Sequence, residues 1–198
     1  MRLILILTWS VAVLGIAAWL IAPMLAGGPA PHKKTILLMD STLPEVVYDS
    51  RSRASGRTNA DEIYDALKDV PSLSISKETT SLQWAREEYV RSLGPDLIIL
   101  HLSAFYDKTT PHDGDRKLLS FLRYISSQKS RLLLYTRAPL LQSGPAQDAY
   151  SAELTRQIPA LRNRVSMFRF ENGQPMTFMD TTLARNLKLQ VKSILGLE

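Results

Sequence analysis

The chain of 198 residues contains no cysteine, and this absence excludes several classes of protein. Disulfide scaffolds, iron–sulfur clusters, thiolate zinc sites and cysteine nucleophiles all require that side chain. The glycine-rich motifs that bind nucleotide phosphates, G-x-x-x-x-G-K-[ST] and G-x-G-x-x-G, are also missing. The three histidines follow no known metal-ligand spacing. We therefore predict neither a cofactor nor a metal.

A large excess of charge of one sign is also missing. The 24 Lys and Arg side chains outnumber the 19 Asp and Glu side chains by five. The cations are spread along the chain and form no cluster with interleaved aromatic residues, which would indicate nucleic-acid binding. Nucleic acid is therefore not a predicted partner. Hydrophobic residues make up 45% of the chain, which is enough for a folded domain with a sizeable core.

The longest apolar run covers residues 3–26, where Thr8 and Ser10 are the only polar side chains. About 20 apolar residues cross a bilayer core, whereas a cleaved secretory signal has an apolar region of roughly 7–15 residues. The run therefore predicts a transmembrane helix that anchors the chain in a membrane. A cleaved signal is the alternative, although Pro29 would follow the best cleavage site.

This run divides the chain into three parts. We expect residues 1–26 to be a membrane anchor or signal segment, residues 27–33 a linker, and residues 34–198 a single α/β domain. Lys and Arg flank the run on both sides, so the positive-inside rule leaves the orientation of the anchor open. A short tail before the span and a long domain after it favour a periplasmic or extracellular domain.

After residue 33, strand patterns alternate with helix patterns. Short runs rich in branched apolar residues predict strands at 34–39, 73–76, 95–101, 131–136 and 165–170. Capping and turn residues predict helices that begin near Asn59, Ser81, Asp113, Pro145 and Asp180. This alternation predicts an α/β three-layer sandwich, in which a five-stranded, mainly parallel sheet has helices on both faces. Its predicted core includes Leu38, Ile98, Leu100, Leu133, Phe168 and Leu187.

The second helix is predicted to pack through a stripe at helical spacing. That stripe consists of Leu82, Ala85, Tyr89 and Leu93. Gly94 is expected to end the helix, because glycine adopts the left-handed conformation of a C-terminal cap. We expect Trp84, on the same helix, to pack inside the domain.

Polar residues end or follow several predicted strands. Because the carboxyl ends of parallel strands meet at one edge of a sheet, we expect these side chains to gather there. Asp40, Ser103, Thr136 and Arg137 are the predicted ligand-binding residues, and the ligand is expected to be a small anionic or hydroxylated molecule or a protein of the cell envelope. Purely structural roles, in which the groups bond to one another and to nearby backbone, are the alternative.

Three segments resemble the blocks of the SGNH (GDSL-like) hydrolase family. Residues 36–41 (Ile-Leu-Leu-Met-Asp-Ser) are similar to its first strand and Gly-Asp-Ser block, and residues 95–104 are similar to the strand before its Gly-x-Asn-Asp block. Asp180 falls where that family has Asp-x-x-His. Over most of residues 34–198, the resemblance implies Ser41 as a nucleophile and Asp180 as a catalytic acid, with His101 as the base from another strand.

The sequence also departs from that family. Met39 replaces the first-block glycine, the Asn-Asp pair is absent, and Leu183 stands where the histidine would be. A comparison with phospho-receiver domains places His101 where the phosphorylated aspartate would be. Two hypotheses follow. The favoured one is a membrane-anchored module that binds a ligand or partner without catalysis, and the other is an SGNH-type serine esterase or deacetylase.

Overall fold

Five parallel strands form the centre of the domain in the computed structural model. The structure describes residues 32–40, 58–78, 82–105, 113–136, 141, 143–170 and 178–197. The predicted anchor, Ser41 and Arg137 lie outside these residues. Within the described residues, no helix is both long enough and apolar enough to span a bilayer.

The strands pair in a doubly wound order. They are β1 (Lys34–Met39), β2 (Leu73–Glu78), β3 (Leu97–His101), β4 (Arg131–Tyr135) and β5 (Val165–Met167). The order across the sheet is β2-β1-β3-β4-β5, and every neighbouring pair is parallel. The register aligns Met39 of β1 with Leu100 of β3, and His101 of β3 with Tyr135 of β4. The predicted α/β fold with a five-stranded parallel sheet is confirmed.

In the part of the chain that the structure describes, five α-helices cover the two faces of this sheet. They are α1 (Asn59–Leu67), α2 (Gln83–Leu93), α3 (Gly114–Ser126), α4 (Gly144–Gln157) and α5 (Thr181–Leu195). Side chains of α1 and α5 share one apolar core with one face of the sheet, and side chains of α2, α3 and α4 share a second core with the other face. All six residues predicted for the core are buried. The described residues after residue 33 thus build two apolar layers around one sheet.

Several local signals act where the sequence predicted them. Gly94 ends α2 with a φ of 55°, a left-handed value that glycine adopts without strain. Helix α4 ends at Gln157, and Pro159 begins a separate 3-10 turn, because proline cannot donate a helical hydrogen bond. The capping box of α1 lies one residue earlier than predicted, since Thr58 rather than Asn59 is the cap and Asp61 is its partner.

The bounds of four strands differ from their predictions. Strand β3 begins at Leu97 instead of residue 95, and β4 ends at Tyr135 instead of residue 136. Strand β2 extends to Glu78 because its last two residues still pair with Leu38 and Met39 of β1. Strand β5 stops at Met167, although Phe168 and Phe170 remain buried. These two rings pack against each other and against Phe178 in an aromatic cluster, and the Phe168 amide still donates to the Leu134 carbonyl of β4 at 2.8 Å. Aromatic packing therefore keeps the segment buried beyond the end of β5.

The predicted packing face of α2 is correct only in part, since Leu93 packs against the second core but the helix is rotated. Its buried residues are Arg86 and Val90, whereas Leu82 and Tyr89 are 51% and 45% exposed. Trp84, which was expected to pack inside, is 69% exposed. The helix is rotated because an arginine, treated as polar by the periodicity argument, occupies the inward face.

Truncation of the strand core tests this architecture. We expect Leu100→Ala and Leu133→Ala each to lower the free energy of unfolding of the full-length chain by about 2–5 kcal/mol, because each change leaves a cavity in a closed core. The measurement is thermal or denaturant unfolding. Leu189→Ala, at a side chain that is 59% exposed, is the matched control and should change stability by less than about 0.5 kcal/mol. Equal effects at all three positions would contradict the strand assignment.

Candidate functional site

The point where the chain reverses its direction of travel across the sheet lies between β1 and β3. From β1 the chain moves outward to β2, then returns to β3 and proceeds to β4 and β5. In sheets of this kind, the loops after the two central strands diverge and leave a crevice at their carboxyl ends, where ligands bind. Asp40 follows β1, His101 ends β3 and Thr136 follows β4, so three of the predicted site residues lie at this edge. All three side chains are buried.

Asp40 joins β1 to the start of α1. Its carboxylate Oδ2 accepts a hydrogen bond from the Ala60 amide at 3.1 Å. The positive end of the helix dipole stabilises a carboxylate in this position. The Asp40 backbone amide donates to the Glu78 carbonyl at 3.4 Å, which continues the pairing with β2. This side chain therefore positions α1 against the carboxyl edge.

Arg86 is the largest fully buried side chain of the domain. Its Nη2 donates to the carbonyl of Asp40 at 2.7 Å and to the carbonyl of Ala104 at 3.1 Å. The guanidinium also lies 4.7 Å from the centre of the Phe105 ring, within the range of a cation–π contact. One side chain of α2 thus links the residue after β1 to the turn after β3.

The charge on Arg86 is compensated across the same edge. Burial lowers the pKa of Arg86 to about 10, and the nearby carboxylates of Glu78 and Asp40 oppose that shift. At neutral pH the side chain therefore remains a cation. A charged group that is buried away from water needs neighbours of opposite charge, because desolvation of an isolated ion costs several kcal/mol or more.

His101 and Ser103 form a close polar pair after β3. The Ser103 backbone amide and hydroxyl both lie near His101 Nδ1, at 3.2 Å and 2.6 Å. An amide can only donate, so Nδ1 is the acceptor and the ring proton is on Nε2. The hydroxyl consequently donates to the same nitrogen. The imidazole also packs against the Tyr135 ring in a T-shaped contact with a centroid distance of 4.8 Å, which fixes its orientation further.

A second carboxylate, that of Glu62, lies at this edge on the side of the sheet that α1 and α5 cover. Glu62 is buried, and its Oε2 accepts a hydrogen bond from the Phe178 amide at 2.9 Å. The Phe178 ring in turn packs against the Tyr135 ring in a T-shaped contact with a centroid distance of 5.8 Å. Glu62 therefore holds the segment before α5 against the end of β4.

Asp180, the predicted catalytic acid, is the N-terminal cap of α5. Its Oδ1 accepts from the amides of Thr182 and Leu183, at 2.9 Å and 3.0 Å. The Leu183 side chain is fully buried in the core shared with α1. The position where the SGNH family has its histidine is thus a packing position in this domain, and the carboxylate before it stabilises a helix terminus.

The structure brings Asp40, His101, Ser103 and Thr136 to one edge, while Ser41 and Arg137 lie outside the described residues. Sequence reasoning missed Arg86 and Glu62, the two buried charges that organise the edge. The burial of Arg86 could have been predicted from its spacing. Arg86, Val90 and Leu93 lie at i, i+4 and i+7, which places them on one inward face of the helix. No comparable signal marked Glu62, since an acidic residue in the first turn of a helix is ordinary.

Comparisons with known proteins give no match among family models, curated proteins or solved structures. Within the described ranges, no group of three His, Asp or Glu side chains is arranged to hold a metal ion. The chemistry of this edge therefore has to be inferred from its own contacts and charges.

Replacement of Arg86 tests the link between β1 and β3. We expect Arg86→Met to lower the free energy of unfolding by at least about 2 kcal/mol, because two buried carbonyls lose their donor. Thermal unfolding of the full-length variant measures the loss. Arg91→Met, on the same helix at a side chain that is 65% exposed and paired with Glu88, is the control and should cost less than about 0.5 kcal/mol. Similar losses at the two positions would show that Arg86 has no special structural role.

Proposed function

We propose that the chain is a membrane-anchored α/β module of the cell envelope that binds a small hydroxylated ligand, without catalysis, at the carboxyl edge between β1 and β3. The observation that carries this proposal is the position of Asp40 and His101 at the ends of two adjacent strands that lead in opposite directions. Crevices at such points are the usual ligand sites of doubly wound sheets.

The rigidity of the edge supports a binding role. The residue after β1 and the turn after β3 are joined by the two hydrogen bonds of Arg86, and the His101 ring is fixed by Ser103 and Tyr135. Groups held in this way lose little conformational entropy when a ligand binds, which favours affinity.

The charges of the edge favour a hydroxylated ligand over an anion. Asp40, Glu62 and Glu78 contribute three buried carboxylates, and Arg86 is the buried cation among them. An added anion would be repelled by this surplus of negative charge. Hydroxyl groups, by contrast, can donate to carboxylates or to the Ser103 oxygen, and they can accept from Thr136.

The proposed anchor rests on residues 3–26, whose apolar length matches a bilayer core. In this proposal the domain lies on the periplasmic or extracellular side of that membrane. A small-molecule ligand in that compartment, or a protein that carries the same hydroxylated chemistry, fits this proposal.

A thermal-shift screen of the full-length chain in detergent tests the binding proposal. Small polyols and sugars form one arm, and small carboxylates and phosphates form the other. A ligand at 100 times its dissociation constant stabilises the folded state by about 2.7 kcal/mol, so hits from the polyol arm should raise Tm by several degrees.

The expected shift should be lost in Ser103→Ala and in Thr136→Val, and retained in Ser74→Ala. Ser74 is an exposed serine near the start of β2, so its variant controls for the loss of a hydroxyl elsewhere. Hits confined to the anion arm would contradict the hydroxylated ligand. If no hit depended on Ser103 or Thr136, the edge would have only a structural role.

The second candidate function is hydrolysis by a serine nucleophile. The observation that favours it is the 2.6 Å hydrogen bond between the Ser103 hydroxyl and Nδ1 of His101. The hydroxyl is the donor and the unprotonated nitrogen is the acceptor, which is the arrangement that a general base requires. Ser41, the nucleophile implied by the SGNH resemblance, follows Asp40 directly in the chain. In this second candidate function, His101 is the base and either Ser41 or Ser103 is the nucleophile. Asp180 has no part in it, because its carboxylate caps α5.

Labelling of the full-length chain with a fluorophosphonate probe separates these functions. A reactive serine would attack phosphorus, transfer its proton to His101 and release fluoride. The binding proposal predicts no labelling above that of a heat-denatured sample. Labelling that disappears in Ser41→Ala or in Ser103→Ala would establish the hydrolase instead and would identify its nucleophile. Ser74→Ala again serves as the matched control.

A further inference from the structure

Helix α2 exposes large apolar side chains at its start. Only two of its 11 residues, Arg86 and Val90, are buried. Leu82, the residue before the helix, is 51% exposed, and Trp84 is 69% exposed. Exposed apolar groups of this size on one short segment are typical of an interaction surface.

These side chains line a groove between α2 and α3, which we term the α2–α3 groove. Its volume is about 440 Å³, and its lining consists of Leu82, Gln83, Trp84, Arg116, Lys117, Leu119, Ser120 and Arg123. The floor is fixed by Gln83, whose Nε2 donates to Ser120 Oγ at 2.9 Å. The groove is therefore a built feature of two packed helices.

The lining carries three cations and, among the described residues that form it, no carboxylate. Asp113, outside the lining, contacts Arg116 at 3.2 Å, but that arginine remains 77% exposed and such surface pairs are weak. The combination of a tryptophan, a leucine and several basic side chains is the chemistry of a membrane interface. The aromatic ring enters the headgroup region, and the cations attract anionic lipids.

The size of the α2–α3 groove also favours a lipid surface over a protein. A stable protein interface buries about 1,200–2,000 Å² and has an apolar centre depleted in charge. Two exposed apolar side chains among three cations cannot supply such a centre. A weak contact is nevertheless sufficient for a domain that an anchor already holds beside a bilayer, because the effective concentration of lipid is then high.

We propose that the α2–α3 groove docks on anionic lipid headgroups, with Leu82 and Trp84 entering the interface and Arg116, Lys117 and Arg123 contacting the phosphates. This inference rests on the proposed membrane anchor, since the anchor supplies the nearby bilayer. Docking would fix the orientation of the domain on the membrane. It involves α2 and α3 rather than the ligand-binding edge.

The test uses the full-length chain with Trp9→Phe and Trp19→Phe, so that Trp84 is the single tryptophan of the three in the sequence. The protein is mixed with vesicles of brominated phosphatidylcholine, with or without phosphatidylglycerol. We expect stronger bromine quenching and a blue shift of Trp84 emission when phosphatidylglycerol is present, and loss of both effects at high salt. Flotation of the same samples reports membrane attachment separately.

A pair of charge reversals provides the matched comparison. Arg116→Glu with Arg123→Glu should weaken docking by about fivefold or more for each cation. Arg162→Glu with Arg185→Glu makes the same change of charge at two exposed residues outside the groove and should have no effect on quenching. Unfolding curves of both variants verify that the fold is kept.

The outcomes separate the two proposals. Flotation with unquenched Trp84 would overturn docking and leave the anchor intact. Quenching that needs phosphatidylglycerol, without flotation on neutral vesicles, would support docking and contradict the anchor. Equal quenching on neutral and anionic vesicles would overturn the role of the three cations. A blue shift that depends on protein concentration in the absence of lipid would identify a second copy of the chain as the occupant instead.

Discussion

A single buried guanidinium holds the carboxyl edge of the sheet together. Arg86 donates to the carbonyl after β1 and to a carbonyl in the turn after β3, and these are the two adjacent strands from which the chain departs in opposite directions. A cation in this dry position requires nearby negative charge, which the carboxylates of Asp40 and Glu78 supply. Asp40 then positions α1, and α1 carries the carboxylate that holds the segment before α5.

The same constraint explains the outer surface of α2. Because Arg86 and Val90 face inward, the stripe that includes Leu82 and Tyr89 faces solvent. The helix contributes Arg86 to the carboxyl edge of the sheet, and Gln83 and Trp84 to the α2–α3 groove. Ligand binding and membrane docking, as proposed, would thus depend on different side chains of one short helix.

Most of the sheet was predictable from the sequence because its three central strands, β1, β3 and β4, are buried along most of their length. Runs such as 97–101, with branched apolar residues at successive positions, have few other stable arrangements. The end of β5 was less predictable, since Phe168 and Phe170 lie beyond the strand and are still buried by aromatic packing. A hydrophobic pattern in the sequence indicates that residues are buried. It does not show whether they are buried in a paired strand or by side-chain packing alone.

The candidate site was predictable only in part. The topology alone brings Asp40, His101 and Thr136 to one edge, so strand-end residues could be identified from the sequence. The roles of Arg86 and Glu62 depend on distant backbone groups, namely the carbonyls of Asp40 and Ala104 and the amide of Phe178. Sequence periodicity treats both residues as solvent-facing, because it does not include the partners that make a buried charge stable.

The side-chain ¹⁵N resonances of Arg86 and His101 in the full-length chain test the central claim most directly. They would be recorded with and without the small hydroxylated molecule that stabilises the protein most. Binding between β1 and β3 predicts that both resonances shift together with one saturation curve, while those of Arg116 and Arg123 stay unchanged. Saturable binding that leaves Arg86 and His101 unshifted would contradict a ligand site at this edge.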